Sequence, residues 1–208
     1  SDEDVDPQTV SFDGEVFRID GSNTVLTMID LADRIRQAGQ AELLDTRVKA
    51  SIDERAFPNG AHVAEVEIDP ETGELNVAKY TVTDDFGNLI NPMLVQGQIH
   101  GGVAQGLGQV MLEQTIFDDT GQMLNASFMD YAMPRADHMP NIHFTNEVIP
   151  TNRNPLGMKG CGEAGTIGAM PAIMNAARDA MADQGVTQVD MPLTPQRVWH
   201  MLQKAKAA

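Results

Sequence analysis

Apolar residues recur along the chain with two different periods, and the change from one to the other marks out its elements. From Ala61 to Val82 the period is two, with Ala64, Val66 and Ile68 on one face of a strand and Leu75 with Val77 on one face of another. Between them, Asp69-Pro70-Glu71-Thr72-Gly73 supplies turn chemistry, so the two strands are expected to form a hairpin. A smaller hairpin is expected where Asp13-Gly14 separates Phe12 from Val16 and Phe17.

Helical spacing governs four other stretches. Met28, Leu31 and Ile35 run to Gly39 behind Thr27, which forms a capping-box pattern with Asp30. GQIHGGVAQGLGQVMLEQ, residues 97–114, keeps an apolar stripe through Ile99, Val103 and Val110 and reads as a helix despite five glycines. Glycine weakens a helix, so those five imply close backbone packing or a ligand. After a glycine-rich loop, Ile167, Met170, Met174, Ala177 and Met181 recur at helical spacing, and Thr194-Pro195 opens a last helix carrying Val198, Trp199 and Leu202.

Residues 40–60 read as an irregular connector, Asp84 to Gly87 as a polar loop, and Phe144 and Val148 as strand positions. With no internal repeat and no regular βαβ alternation, the expected class is α+β: mixed sheets with packed helices. The expected division is 1–56, a connecting segment with a short hairpin and helix, and 57–208, a larger lobe.

Composition narrows the function. Acidic residues outnumber basic ones 30 to 14, giving a net charge of -16 and making nucleic acid and anionic membranes poor partners. No apolar run approaches the roughly 18 residues of a membrane span. The single cysteine, Cys161, excludes an internal disulfide framework and leaves too few thiolates for a zinc or iron–sulfur site, so a reducing, cytoplasmic compartment is expected. A chain of 208 residues, 42% of them hydrophobic, can bury a substantial core.

Two segments could carry chemistry. In Lys159-Gly160-Cys161-Gly162-Glu163-Ala164-Gly165, alternating glycines let the backbone approach another group closely, and Glu163 sits just before a helix. Glu163 is then either a helix-start acid or a site carboxylate, and pattern alone does not separate the two. Gln98, Gly101, Gly102 and Gln105 form a glycine-lined helix face with amides that can both donate and accept, which suits a heterocycle edge as well as it suits dense packing. His100 stands at no metal-ligand spacing from the other histidines and reads more readily as a hydrogen-bonded structural residue than as a ligand. Cys161, in a glycine loop before a helix, leaves a nucleophilic thiol as a third reading, although no histidine lies near it in sequence.

AHVAEVEIDPETGEL, INPMLVQGQIHGGVAQGLGQ, SFMDYAMPRADHMP, NPLGMKGCGEAGTIGAMPAI and DMPLTPQRVW together resemble the xanthine dehydrogenase and aldehyde oxidase family. The likeness is greatest to the molybdopterin-binding large subunits of aerobic carbon monoxide dehydrogenase-like enzymes, in their C-terminal part, and runs from Phe57 to Trp199. The resemblance implies a molybdenum-molybdopterin cofactor, as monophosphate or cytosine dinucleotide, held through its own dithiolene. It implies that Glu163 is the catalytic base, that Gln98 contacts the pterin, and that Lys159, Gly160, Cys161 and Gly162 form the cofactor-binding loop. Cys161 departs from the small aliphatic residue expected there. The implied reaction is oxidative hydroxylation of an aldehyde or N-heterocycle, or oxidation of carbon monoxide. The implied partners are the N-terminal half of the large subunit, an iron–sulfur subunit with [2Fe-2S], a flavin subunit with FAD, a dimer of that assembly, and a small-molecule substrate. The alternative is a cofactor-binding or assembly module without activity of its own.

Overall fold

In a computed structural model describing residues 5–49, 51 and 54–207, the chain divides after residue 51 into two units. The smaller is a three-stranded antiparallel sheet of β1 (Val10–Phe12), β2 (Val16–Ile19) and β3 (Val25–Thr27), followed by helix α1 (Met28–Gln37). Phe12 pairs with Phe17 across the Asp13-Gly14 turn, as the alternation around it predicts, whereas β3 had no clear signal. Helix α1 begins with the expected capping box: Thr27 Oγ1 accepts from the Asp30 N–H at 3.1 Å, and the Asp30 carboxylate accepts from the Thr27 N–H at 3.2 Å.

The larger unit is built on a mixed sheet in the order β4 (Asn59–Ile68), β5 (Leu75–Asp85), β6 (Ile142–Asn146). Strands β4 and β5 form the long antiparallel hairpin, turned at Gly73 with φ +76°. Strand β6 is parallel to β5 and is reached through α2 (Pro92–Met111), so a parallel crossover stands where no βαβ alternation was legible. Helix α2 starts five residues before the glycine-rich stretch, because Asn91 caps the Leu94 N–H at 3.1 Å and Pro92 fits the first turn. Helices α3 (Ala164–Ala182) and α4 (Pro195–Lys206) complete the unit. No helix among the described residues is long and apolar enough to cross a membrane.

A bulge decides what β5 buries. Glu65 pairs with Lys79 and Val66 with Val77, leaving Ala78 as the extra residue. The buried face therefore changes parity, from Leu75 and Val77 to Tyr80 and Val82. Tyr80, Val82, Ile99, Leu107, Ile173 and Leu202 belong to one core shared by β5, α2, α3 and α4. The same shift carries Asp84 into the interior. Asp84 and Asp85, expected in a polar loop, are the last residues of β5 and lie 3% and 4% exposed. Val148 falls outside β6. Helix α3 buries Gly165, Ala169, Ile173, Ala177 and Met181, a row of every fourth residue, which leaves Ile167 62% exposed rather than in the core.

Candidate functional site

Where α2 and α3 cross, side chains are absent because there is no room for them. A Cβ on Gly102 would lie 2.9 Å from Gly165 Cα, one on Gly165 would lie 2.6 Å from the Ile99 carbonyl oxygen, and one on Gly106 would lie 2.7 Å from Ala169 Cβ. Packing at that distance brings the start of α3, and the loop before it, against the N-terminal half of α2. Thr166 Oγ1 reinforces the crossing by donating to the Gly102 carbonyl at 3.1 Å.

Four other glycines of the two segments have a different surrounding. A Cβ on Gly97, Gly101, Gly160 or Gly162 would meet no atom within 4 Å among the described residues. Sterics within this chain do not account for those four. Gln98 lies beside them, exposed, and its Nε2 donates to the Gly162 carbonyl at 3.0 Å, so the amide face of α2 and the loop 159–163 form one continuous surface.

Glu163 is the N-cap of α3 and is exposed. Its carbonyl accepts the first helical N–H, from Ile167, at 3.0 Å, yet its carboxylate makes no capping bond. It opens onto a cavity of about 530 Å³ whose lining includes Asn59, His62, Asp84, Gly162 and Ile167. Ile167 is therefore exposed to a cavity wall position, which explains its departure from the apolar stripe.

The cavity contains a buried polar group that pattern reading missed. His62 Nδ1 is 2.9 Å from Tyr80 Oη and Nε2 is 3.3 Å from Asp84 Oδ1, both side chains of the His62–Asp84 pair being under a tenth exposed. Burial, with the charge of Asp84 second, pushes the Tyr80 hydroxyl well above its ordinary range, so it remains a donor at any ordinary pH. Gly168 and Gly60 make room: a Cβ on the first would strike the His62 ring and one on the second the Asp84 carboxylate. The Gly60 and His62 signal was present as G-x-H at the start of a strand, but its partners lie 18 and 22 residues away across a bulged hairpin.

The remaining candidates fall around this surface. Lys159 turns its ammonium onto Asp85. Cys161 is half-buried, packed against the core. His100 Nε2 is buried without a hydrogen-bond partner among the described residues. No three of His, Cys, Asp and Glu come together as a metal site among those residues. Open glycine backbone admits a flat group closely, while the exposed Gln98 amide offers hydrogen bonds to a heteroatom-rich edge.

Comparison with known proteins identifies the family. The family model for the molybdopterin cofactor-binding domain matches residues 2–140. The carbon monoxide dehydrogenase large chain of Hydrogenophaga pseudoflava is 40% identical over 152 residues, 73% of this chain and 19% of that protein. The nicotine 6-hydroxylase large subunit of Paenarthrobacter nicotinovorans is 40% identical over 142 residues, 68% of this chain and 17% of its own. Among solved structures, the Cu,Mo-CO dehydrogenase in its carbon monoxide reduced state superposes with a TM-score of 0.82 at 29% identity, covering 96% of this chain and 26% of that one. The chain spans about a fifth of the length of the curated relatives it matches.

Proposed function

Because the chain belongs to the molybdopterin cofactor-binding domain family, we propose that it forms part of a molybdenum hydroxylase large subunit in which Glu163 is the catalytic base. The observation that carries this reading is the uncommitted Glu163 carboxylate at the mouth of the cavity, beside glycine backbone that nothing in this chain covers. The bound cofactor would supply the two-electron redox chemistry.

The chain's own residues divide the rest. Gly97, Gly101, Gly160 and Gly162 admit the cofactor to the backbone, Gln98 holds its pterin edge, and Lys159 to Gly162 shape the loop beneath it. Glu163 accepts a proton at its carboxylate during oxidative hydroxylation of an aldehyde or N-heterocycle, or oxidation of carbon monoxide. The cofactor is present as monophosphate or cytosine dinucleotide. [2Fe-2S] and FAD reside on an iron–sulfur and a flavin partner, and the remainder of the large subunit closes the pocket, within a dimeric assembly. A proton acceptor serves best when partly desolvated, and the exposed Glu163 of this chain acquires that environment only when the pocket is closed.

The test is Glu163→Gln in the assembled enzyme. Glutamine keeps the shape and much of the hydrogen bonding but does not take the proton, so turnover per molybdenum should fall at least about 100-fold with fold and cofactor retained. A helix-start acid would instead cost roughly 0.3–1 kcal/mol of stability and leave turnover nearly intact. Full turnover per metal in the variant would end the assignment.

A further inference from the structure

We propose that Asp85 is a positioning residue for Glu163, acting through Lys159 to hold the loop that carries the base; this deepens the reading of Glu163 and rests on it. Both oxygens of the Asp85 carboxylate are engaged. Oδ1 accepts from the Gly87 N–H at 2.9 Å and the Ile149 N–H at 3.2 Å, while Oδ2 accepts from Lys159 Nζ and from Asn59 Nδ2 at 3.4 Å. One buried side chain thus joins the start of β4, the turn after β5, the segment beyond β6 and the loop before α3.

The Lys159 ammonium is consumed in this contact, with its side chain 10% exposed and Asp85 at 5%. Burial alone would push the Asp85 carboxyl up; the bond from Lys159, then those from Gly87 and Ile149, outweigh it and hold the group below its ordinary range. Asp85 is therefore a carboxylate at neutral pH, and the contact with Lys159 is a charge pair.

The backbone repeats the attachment. The Lys159 N–H donates to the Phe86 carbonyl at 2.8 Å, and Met158 pairs antiparallel with Gly87. At the other end of the loop, Gln98 bonds the Gly162 carbonyl. Glu163 follows directly after, and the residues between these anchors include Gly160 and Gly162, which have the widest backbone freedom. A base must be held to a fraction of an ångström to act, and a loop with two glycines does not do so unaided. A buried ion pair contributes little net stability compared with apolar packing but fixes geometry through its directional bonds. Asp85 does not itself line the cavity that Glu163 opens onto; Lys159 ties it to the loop that carries the base, and Asn59, a lining residue, ties it to the start of β4.

The experiment compares Asp85→Asn, Lys159→Gln and the conservative Lys159→Arg. In the 208-residue chain, amide hydrogen exchange at Lys159 and Ile167, whose N–H groups bond Phe86 and Glu163, should accelerate at least about 10-fold in the first two variants. Val103 and Leu107, in the buried face of α2, should exchange as in the parent. In the assembled enzyme, kcat per molybdenum should fall roughly 10- to 100-fold in Asp85→Asn and Lys159→Gln with KM nearly unchanged, and Lys159→Arg should restore most of it. Unchanged exchange at Lys159 and Ile167 in both variants overturns the proposal, as does accelerated exchange with parental kcat. Equal acceleration at Val103 and Leu107 also overturns it, since that reports general destabilisation. Glu163→Gln, measured in parallel, keeps the two readings apart: full turnover there removes the base, whereas the exchange result alone decides whether Asp85 holds the loop.

Discussion

The two sides of the loop 159–163 use the same residue types for opposite ends. On the packed side, Gly102, Gly106 and Gly165 are glycine because another backbone or Ala169 occupies the place of a side chain, and Asp85 with Lys159 closes the interior by charge. On the open side, Gly97, Gly101, Gly160 and Gly162 face no atom of the described chain, and Gln98 and Glu163 stand exposed. A glycine-rich motif is therefore two structures in one: a joint between helices, which sets where the loop sits, and a bare surface, which leaves the loop free to meet a ligand.

The largest effect that would sharpen this contrast is on the packed side. Lys159→Met leaves Asp85 buried and unpaired, and should lower the unfolding free energy by about 3–5 kcal/mol, read from denaturant unfolding of the chain. The pH dependence follows from the depressed Asp85. Its folded value lies below its ordinary 3.8, so its contribution is fully present above that pH and is lost as pH falls through the folded value. Acid titration of the parent should show that loss, and Asp85→Asn should flatten the segment; a parallel curve for the variant contradicts the charge pair.

Gly165→Ala comes next. Its Cβ meets backbone of α2, which has nowhere to move, so the cost should be about 1–3 kcal/mol in thermal or denaturant unfolding. On the open side, Gln98→Ala should cost the chain no more than about 0.5–1.5 kcal/mol, for its one bond to the Gly162 carbonyl, but weaken cofactor retention in the assembled enzyme by about 1–3 kcal/mol, measured as pterin and molybdenum content. Undiminished occupancy would break the open side of the comparison. The smallest effect is Gly101→Ala. An alanine in an uncrowded helix position should raise the stability of the chain by about 0.5–1 kcal/mol while reducing cofactor content, opposite signs from one methyl group. A stability loss instead would place Gly101 with the packing glycines.

Local chemistry by itself determined most of the elements. The Thr27–Asp30 box, the Asp69–Gly73 turn, the Thr194-Pro195 helix start and the period-two runs of β4 and β5 act over a few residues, so their signals lie within a few residues of sequence. The motifs likewise carried the family, through five segments in order between Phe57 and Trp199. What only the tertiary structure decided is which glycine packs and which stays bare, and which polar residues are interior. Ala78 bulges out of β5 and reverses its parity, so Asp84 joins the inward face of Tyr80 and Val82, while Asp85, on the other parity, is interior through its bonds to Gly87, Ile149 and Lys159. Their partners, His62, Lys159 and Ile149, are 22, 74 and 64 residues away. Contacts at that separation exist only after the sheet has paired and α3 has docked on α2, because nothing in the intervening chain constrains them.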